Sequence, residues 1–248
     1  MALFQKIDKP TSGRRFVISD IHGCSKTFRK MVEDTLQITK SDHLYLLGDY
    51  IDKGPDSSGV LDYIMALQTD GFQVFGIRGN HEENMMQAWQ EYDTRMFRFF
   101  VAKLNKSPDL LTEDAQIKPQ YLAFMKELPY YIALEDYYLV HAGFDFSKNE
   151  PFKNYQAMLH IRGPKGVPPD RGMIQNKTIV HGHEVTYLED IVEHINERHP
   201  VIPLDNGCVY TKKHKRLDVT RTGKLCALNL DTFGLIAIDS IDPPAKRR

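Results

Sequence analysis

Leu44-Tyr45-Leu46-Leu47-Gly48-Asp49-Tyr50-Ile51-Asp52-Lys53-Gly54 decides the fold class. Its four leading apolar residues read as a short buried strand, and the two glycines bracket a turn that carries two carboxylates. Upstream, Phe16-Val17-Ile18-Ser19 has the same character and runs into Asp20-Ile21-His22-Gly23. Downstream, Phe72 to Ile77 makes a third such run and ends on Arg78-Gly79-Asn80-His81-Glu82. Helical patterns fill the gaps, from Ser25 to Leu36 and from Ser57 to Gln68. In the second of these, Val60, Leu61, Ile64 and Leu67 share one face. Asp20, Asp49 and Asn80 therefore recur at about 30-residue intervals, the length of successive βαβ units. Parallel strands joined this way end on one edge of their sheet, so the three side chains are expected to converge there.

Two later segments repeat the arrangement of a polar residue after a strand. His141-Ala142-Gly143 follows Tyr137-Tyr138-Leu139-Val140, and His181-Gly182-His183 follows Thr178-Ile179-Val180. Asp20, His22, Asp49, Asn80, His141 and His183 then form one ordered series of carboxylate, amide and imidazole ligands. Such a set suits a hard or borderline divalent cation such as Mn²⁺, Fe²⁺ or Zn²⁺. The series exceeds what one tetrahedral site needs, which points to two ions sharing a bridging carboxylate. Ion pairs about 3.5–4 Å apart are a recurrent device for phosphoester hydrolysis.

Composition sets the outer bounds. A chain of 248 residues, 42% hydrophobic and 26% charged, has the profile of a soluble globular protein with ample core. A net charge of −1 supplies no basic field for nucleic acid. Cys24, Cys208 and Cys226 are too few and too widely spaced for a disulfide framework. The polar start lacks an apolar leader, and no apolar run approaches the ~20 residues of a membrane span. The expected setting is the reducing cytoplasm, with no membrane partner. Residues 1–13 read as an N-terminal tail, 14–240 as the α/β domain and 241–248 as a basic C-terminal tail. From Glu82 to about Tyr131 the pattern turns helical, with 93–129 as the insertion, and Met85, Met86, Trp89, Met96, Phe97, Phe99, Phe100 and Leu104 are expected as the core of this stretch. Strand character returns at Val201 to Leu204, Leu225 to Leu230 and Leu235 to Ile238, while Gly163 to Pro169 reads as a loop.

In order and composition, the five segments resemble the signature set of the phosphoprotein phosphatase branch of the calcineurin-like metallophosphoesterases. The likeness runs from Phe16 to about Ile238. It implies two mixed β-sheets flanked by helices, with the site on loops at one edge. It also implies that Asp20 and His22 hold a first metal, that Asp49 bridges, and that Asn80, His141 and His183 complete the second. Manganese is the expected metal, with iron or zinc as alternatives. By the same resemblance His81 is the general acid that protonates the leaving oxygen, and Asp52 orients its ring. Arg162, Lys53 and Asn80 grip the substrate phosphate, although Lys53 stands where the family usually has arginine. The implied chemistry is direct attack on phosphorus by a metal-bridging hydroxide, without a covalent phosphoenzyme.

Glu82, where many diesterases of the wider superfamily carry Asp, favours a phosphatase. The first expectation is a Ser/Thr protein phosphatase acting on phosphoproteins or phosphopeptides. The alternative is a dinucleoside polyphosphate hydrolase, and a third reading is a phosphate-binding protein that has lost catalysis. Asp205-Asn206-Gly207-Cys208-Val209-Tyr210 resembles a segment that closes the site's rim. The basic stretch holding Lys212, Lys213, Lys215, Arg216 and Arg221 reads as a solvated hairpin. Cys24 reads as a helix-start residue and His160 and His181 as packing residues. His43, His194, His199 and His214 match no motif.

Overall fold

In a computed structural model that describes residues 3–163, 171–212 and 217–243, two five-stranded mixed sheets face each other. The first sheet is built on β2 (Arg15–Ile18), β3 (His43–Leu46) and β4 (Gln73–Gly76), which are parallel neighbours. β9 (Lys224–Asn229) pairs antiparallel with β2, and β10 (Leu235–Asp239) pairs antiparallel with β9. The second sheet has the order β1 (Phe4–Lys6), β5 (Tyr131–Ala133), β6 (Tyr137–Val140), β7 (Thr178–His181) and β8 (Val201–Pro203). Within it β6, β7 and β8 are parallel, while β5 runs antiparallel to β6.

Both faces of the first sheet are covered, which is why its strands read as unbroken apolar runs. Val17, Tyr45, Leu47 and Ile77 pack inward against Ile132, Leu139, Val180 and Ile202 of the second sheet. The opposite face carries Phe16, Ile18, Leu44 and Leu46. It packs on Phe28 of α1 (Ser25–Lys30) and on Leu61 and Ile64 of α2 (Ser57–Thr69). After Lys30 the first helix widens into a π-helical turn, Met31–Leu36, and stops at Gln37 in the left-handed region.

Two differences from the sequence reading stand out. Within residues 1–13, Phe4–Lys6 form an edge strand rather than a tail, pairing with β5 while the Phe4 ring stacks on Tyr131 at 5.0 Å. Three residues, only one of them apolar, are too few for a periodic signal, so only the waiting sheet edge reveals them. The stretch after β4 holds α3 (Asn80–Glu91), α4 (Thr94–Phe99), a second π-helical turn, Phe100–Asn105, and α5 (Pro119–Glu127). Met85, Met86 and Phe97 are buried there, but Met96, Phe99 and Leu104 face solvent, so the expected apolar core of this stretch is only partly realised. Lys213, His214, Lys215, Arg216, most of the expected Gly163–Pro169 loop and the tail from 244 lie outside the described residues.

Candidate metal centre

Every expected ligand lies at the carboxyl end of a strand, on one edge shared by the two sheets. Asp20 and His22 follow β2, Asp49 follows β3, Asn80 opens α3 after β4, His141 follows β6 and His183 follows β7. Backbone bonds stitch neighbouring loops together, with the Ile21 and His22 amides donating to Asp49 O and the Gly23 amide to Tyr50 O. His22, Asp49, Asp52, Lys53 and His183 all have φ between 48° and 71°, a region that non-glycine residues enter at a cost. That concentration of left-handed backbone turns the side chains back over the strand ends. Close approach also demands glycine: a Cβ on Gly79 would lie 2.2 Å from the Asp49 amide, and one on Gly182 would lie 2.0 Å from Asp20 Oδ1.

Glu82 fixes the loop that carries Asp49. Its fully buried carboxylate accepts from the amides of Asp49, Tyr50, Ile51 and Gly79 at 3.0, 2.9, 3.3 and 3.0 Å. Burial and the neighbouring Asp49 push its pKa up to about 7 against the pull of these amides. The Asp49 carboxylate is thereby aimed between two sets of imidazoles. Its Oδ2 is 3.4 Å from His22 Nε2, while its Oδ1 is 3.4 Å from His141 Nε2. Burial works to raise its pKa, but the charges of His141, His81, His22 and Lys53 outweigh that and hold it well below the usual carboxylate range.

The donor set fits divalent cations. His141 Nδ1 donates to Leu47 O at 2.8 Å, so Nε2 presents a lone pair. That nitrogen lies 3.0 Å from Asn80 Oδ1 and 3.1 Å from His183 Nδ1, with Asn80 Oδ1 and His183 Nδ1 2.9 Å apart. Asn80 Oδ1 and His141 Nε2 carry lone pairs, and His183 Nδ1 adds a third in the tautomer protonated at Nε2, so a cation placed among them meets converging donors. Burial and His141 push His183 down to about 2, so the neutral ring, the form that ligates cations, is favoured. Donor atoms of Asp49, His141 and His183 lie within 4.8 Å of one another, and so do those of His22, Asp49 and His81. Asp20 sits further back: its Oδ2 is 4.0 Å from His22 Nε2, and both its oxygens accept from the His183 amide at 3.1 Å. Burial, then Asp205 and Asp49, raise its pKa well above the ordinary value.

Beside this centre, His81 Nδ1 donates to Asp52 Oδ2 at 2.7 Å, and Nε2 lies 3.9 Å from Asp49 Oδ2. Burial lowers the ring's pKa, but Asp49 and the Asp52 bond more than reverse that, so the imidazolium is favoured. Asp52 is fully buried, and its other oxygen accepts from Ser107 Oγ at 2.7 Å.

A sequence model for calcineurin-like phosphoesterases matches residues 13–219, most of the chain. The chain belongs to that family. Among curated relatives, a symmetrical bis(5'-nucleosyl)-tetraphosphatase of Buchnera aphidicola is 39% identical over 71 residues, 29% of this chain and 25% of the relative. Serine/threonine-protein phosphatase 1 of Salmonella typhimurium is 34% identical over 86 residues, 35% of this chain and 38% of the relative. The chain thus spans well under two thirds of the curated relatives it matches. A protein serine/threonine phosphatase from Saccharomyces cerevisiae superposes with a TM-score of 0.61 at 16% identity, covering 98% of this chain and 85% of that one, which supports the fold.

Within this phosphoesterase fold several side chains were not assigned from sequence. Ser107, just before Pro108, has a hydroxyl that both accepts from the Asp52 amide and donates to the Asp52 carboxylate. Asp205, expected only at the rim, is fully buried close to Asp20, and burial pushes it up to about 6. Lys53 does not reach outward: its Nζ lies 2.7 Å from His22 Nε2. Arg162 is exposed, with its charge felt at His183 and Asp205, and the next residue is tied down by a bond from the Gly163 amide to Glu184. His181 lies on β7, with Nδ1 bonded to Gly182 O.

Proposed function

We propose that this chain is a dinuclear-metal phosphoester hydrolase whose substrates are phosphoserine and phosphothreonine in proteins, with Mn²⁺ as the working metal. The observation that carries the reading is the Asp49 carboxylate, which offers one oxygen to His22 and the other to His141 at 3.4 Å each. In this reading Asp20, His22 and Asp49 serve one cation, and Asp49, Asn80, His141 and His183 the other. Cations bound there neutralise phosphate charge and acidify the attacking water. Arg162 holds phosphate oxygens with its planar fork of donors. His81 gives its Nε2 proton to the departing alkoxide as the ester P–O bond breaks, and Asp52 stabilises the imidazolium before that transfer. Water oxygen ends on phosphorus, so the products are the free hydroxyl and inorganic phosphate.

A second reading has its own support, because several of the matched relatives are named symmetrical bis(5'-nucleosyl)-tetraphosphatases. Symmetrical cleavage of such a tetraphosphate yields two nucleoside diphosphates, whereas a phosphopeptide yields inorganic phosphate. The deciding experiment measures Mn²⁺-dependent hydrolysis of p-nitrophenyl phosphate by wild type and Asp49→Asn, then identifies products from a phosphopeptide and from diadenosine tetraphosphate. Metal-dependent turnover that disappears in Asp49→Asn is expected, with faster release from the phosphopeptide. Faster production of ADP instead selects the second reading, and metal-independent turnover sinks both. A reducing cytoplasmic setting accords with three buried, free cysteines, and no helix among the described residues is long and apolar enough to cross a membrane.

A further inference from the structure

We propose that the Lys53 ammonium is a built-in cation on the His22 side of the centre, so that a metal ion binds His22 only by displacing it. The two metal sites are then unequal by design, and Lys53 sets the affinity of the weaker one. This rests on the dinuclear reading above.

The argument begins with one lone pair. His22 Nδ1 donates to Ile51 O at 2.9 Å, so Nε2 is the ring's only acceptor. Lys53 Nζ lies 2.7 Å from that atom and donates into it. A single lone pair serves one partner, so the ammonium bond and metal ligation at His22 exclude each other. Lys53 is also held in position from behind. Its amide donates to Asn105 O at 2.8 Å, its φ is 64°, and its Nζ lies 5.8 Å from the Tyr210 ring centroid. The negative charges of Asp49, Asp20 and Asp205 all act on it. It therefore sits half-buried in the same field that would attract a divalent ion.

The two sides of Asp49 differ in this one respect. On the His141 side, Asn80 Oδ1, His141 Nε2 and His183 Nδ1 face one another at 2.9 to 3.1 Å. A divalent cation placed there meets converging donors. On the His22 side the acceptor already has one. A guanidinium spreads its charge over a rigid fork, but an ammonium is a compact point charge that fits a single nitrogen. An arginine at position 53 would lack that fit. Once a metal has displaced it, the freed ammonium is available to the substrate phosphate, so one side chain links filling of the weaker site to substrate binding.

The test counts bound metal rather than turnover. Metal-stripped full-length wild type, Lys53→Met and Lys53→Asn are equilibrated with graded Mn²⁺, and bound ions are counted by mass spectrometry. Asn tolerates the left-handed backbone at this position, which protects the experiment if Met does not fold. Wild type is expected to show two sites of distinct affinity. Both variants should tighten the weaker site by about tenfold, the order of one charge-assisted hydrogen bond, and leave the stronger within a few-fold. Two ions bound with unchanged affinities in the variants overturn the role of Lys53 and leave the dinuclear reading standing. At most one ion in all three proteins overturns the dinuclear reading itself, and the proposal with it. Wild type alone gives a further check by imidazole NMR during Zn²⁺ addition. The His141 and His183 signals should shift at the first equivalent and those of His22 only at the second; the reverse order refutes the proposal.

Discussion

At the residue scale, His81 carries the proposal most directly open to kinetics. Its Nδ1 is committed to Asp52 at 2.7 Å, so Nε2 is the only atom left to protonate a leaving group. His81→Ala should retain metal yet lower turnover of an alkyl phosphate by about 10²–10⁴, the range for losing a general acid. Turnover of p-nitrophenyl phosphate should fall much less, because that leaving group needs little protonation. Ser107→Ala should show the same split in milder form, since it loosens the carboxylate that aims the ring. Equal losses on the two substrates in either variant would show that no proton is delivered from this position. The candidate ligands could be singled out in the sequence because each stands just past a strand-like run and in a motif of its own. The contacts of Lys53 and Ser107 could not. Ser107 and Asp52 are 55 residues apart, and nothing local to either encodes the bond between them.

At the scale of elements, the turn before β3 shows how a buried carboxylate holds an entry point in place. Asp42 accepts from the Arg14 amide at 2.7 Å, from Arg14 Nη2 at 2.8 Å and from the Thr39 amide at 2.8 Å. Burial tends to raise its pKa, but these bonds from Arg14 and Thr39 outweigh burial and hold it well below the usual carboxylate range. A depressed pKa means the folded state favours the charged form. Its contribution is therefore present at neutral pH and fades as acid protonates the carboxylate. Asp42→Asn should destabilise the protein by about 2 kcal/mol at pH 7, the scale of hydrogen bonds to a charged group. In urea titrations that gap should narrow below about pH 4, where unfolded aspartate begins to protonate. A gap that stayed constant down to pH 2 would mean the charge contributes nothing. Helix α2 was legible through its one-sided spacing, and its Asp56 side chain caps it as such residues do. The π-helical turns at Met31–Leu36 and Phe100–Asn105 were not, because residue spacing does not distinguish one widened turn from ordinary helix.

For the whole molecule, the contact between the sheets supplies the rigidity on which the centre depends. Leu139 is fully buried among Val17, Tyr45 and Val180, on the strand that presents His141. Leu139→Ala should cost about 2–5 kcal/mol in reversible unfolding, by lost transfer energy and the cavity left behind. A cost below 1 kcal/mol would show that the sheets close over the gap.

The α/β class, the parallel order of the ligand strands and the identity of the candidate ligands all follow from the sequence by itself. Strand–turn–helix periodicity and the chemistry of Asp, Asn and His are local properties, and a chain of about 30-residue units has few ways to arrange its strand ends. Tertiary structure alone decided that Phe4–Lys6 complete a sheet edge, that Glu82 clamps the loop of Asp49, and that Ser107 sets Asp52. It alone turned Lys53 onto His22 instead of outward. Each of these is a hydrogen bond or strand pairing made through space, and such a contact exists only once the two sheets have fixed which distant residues meet.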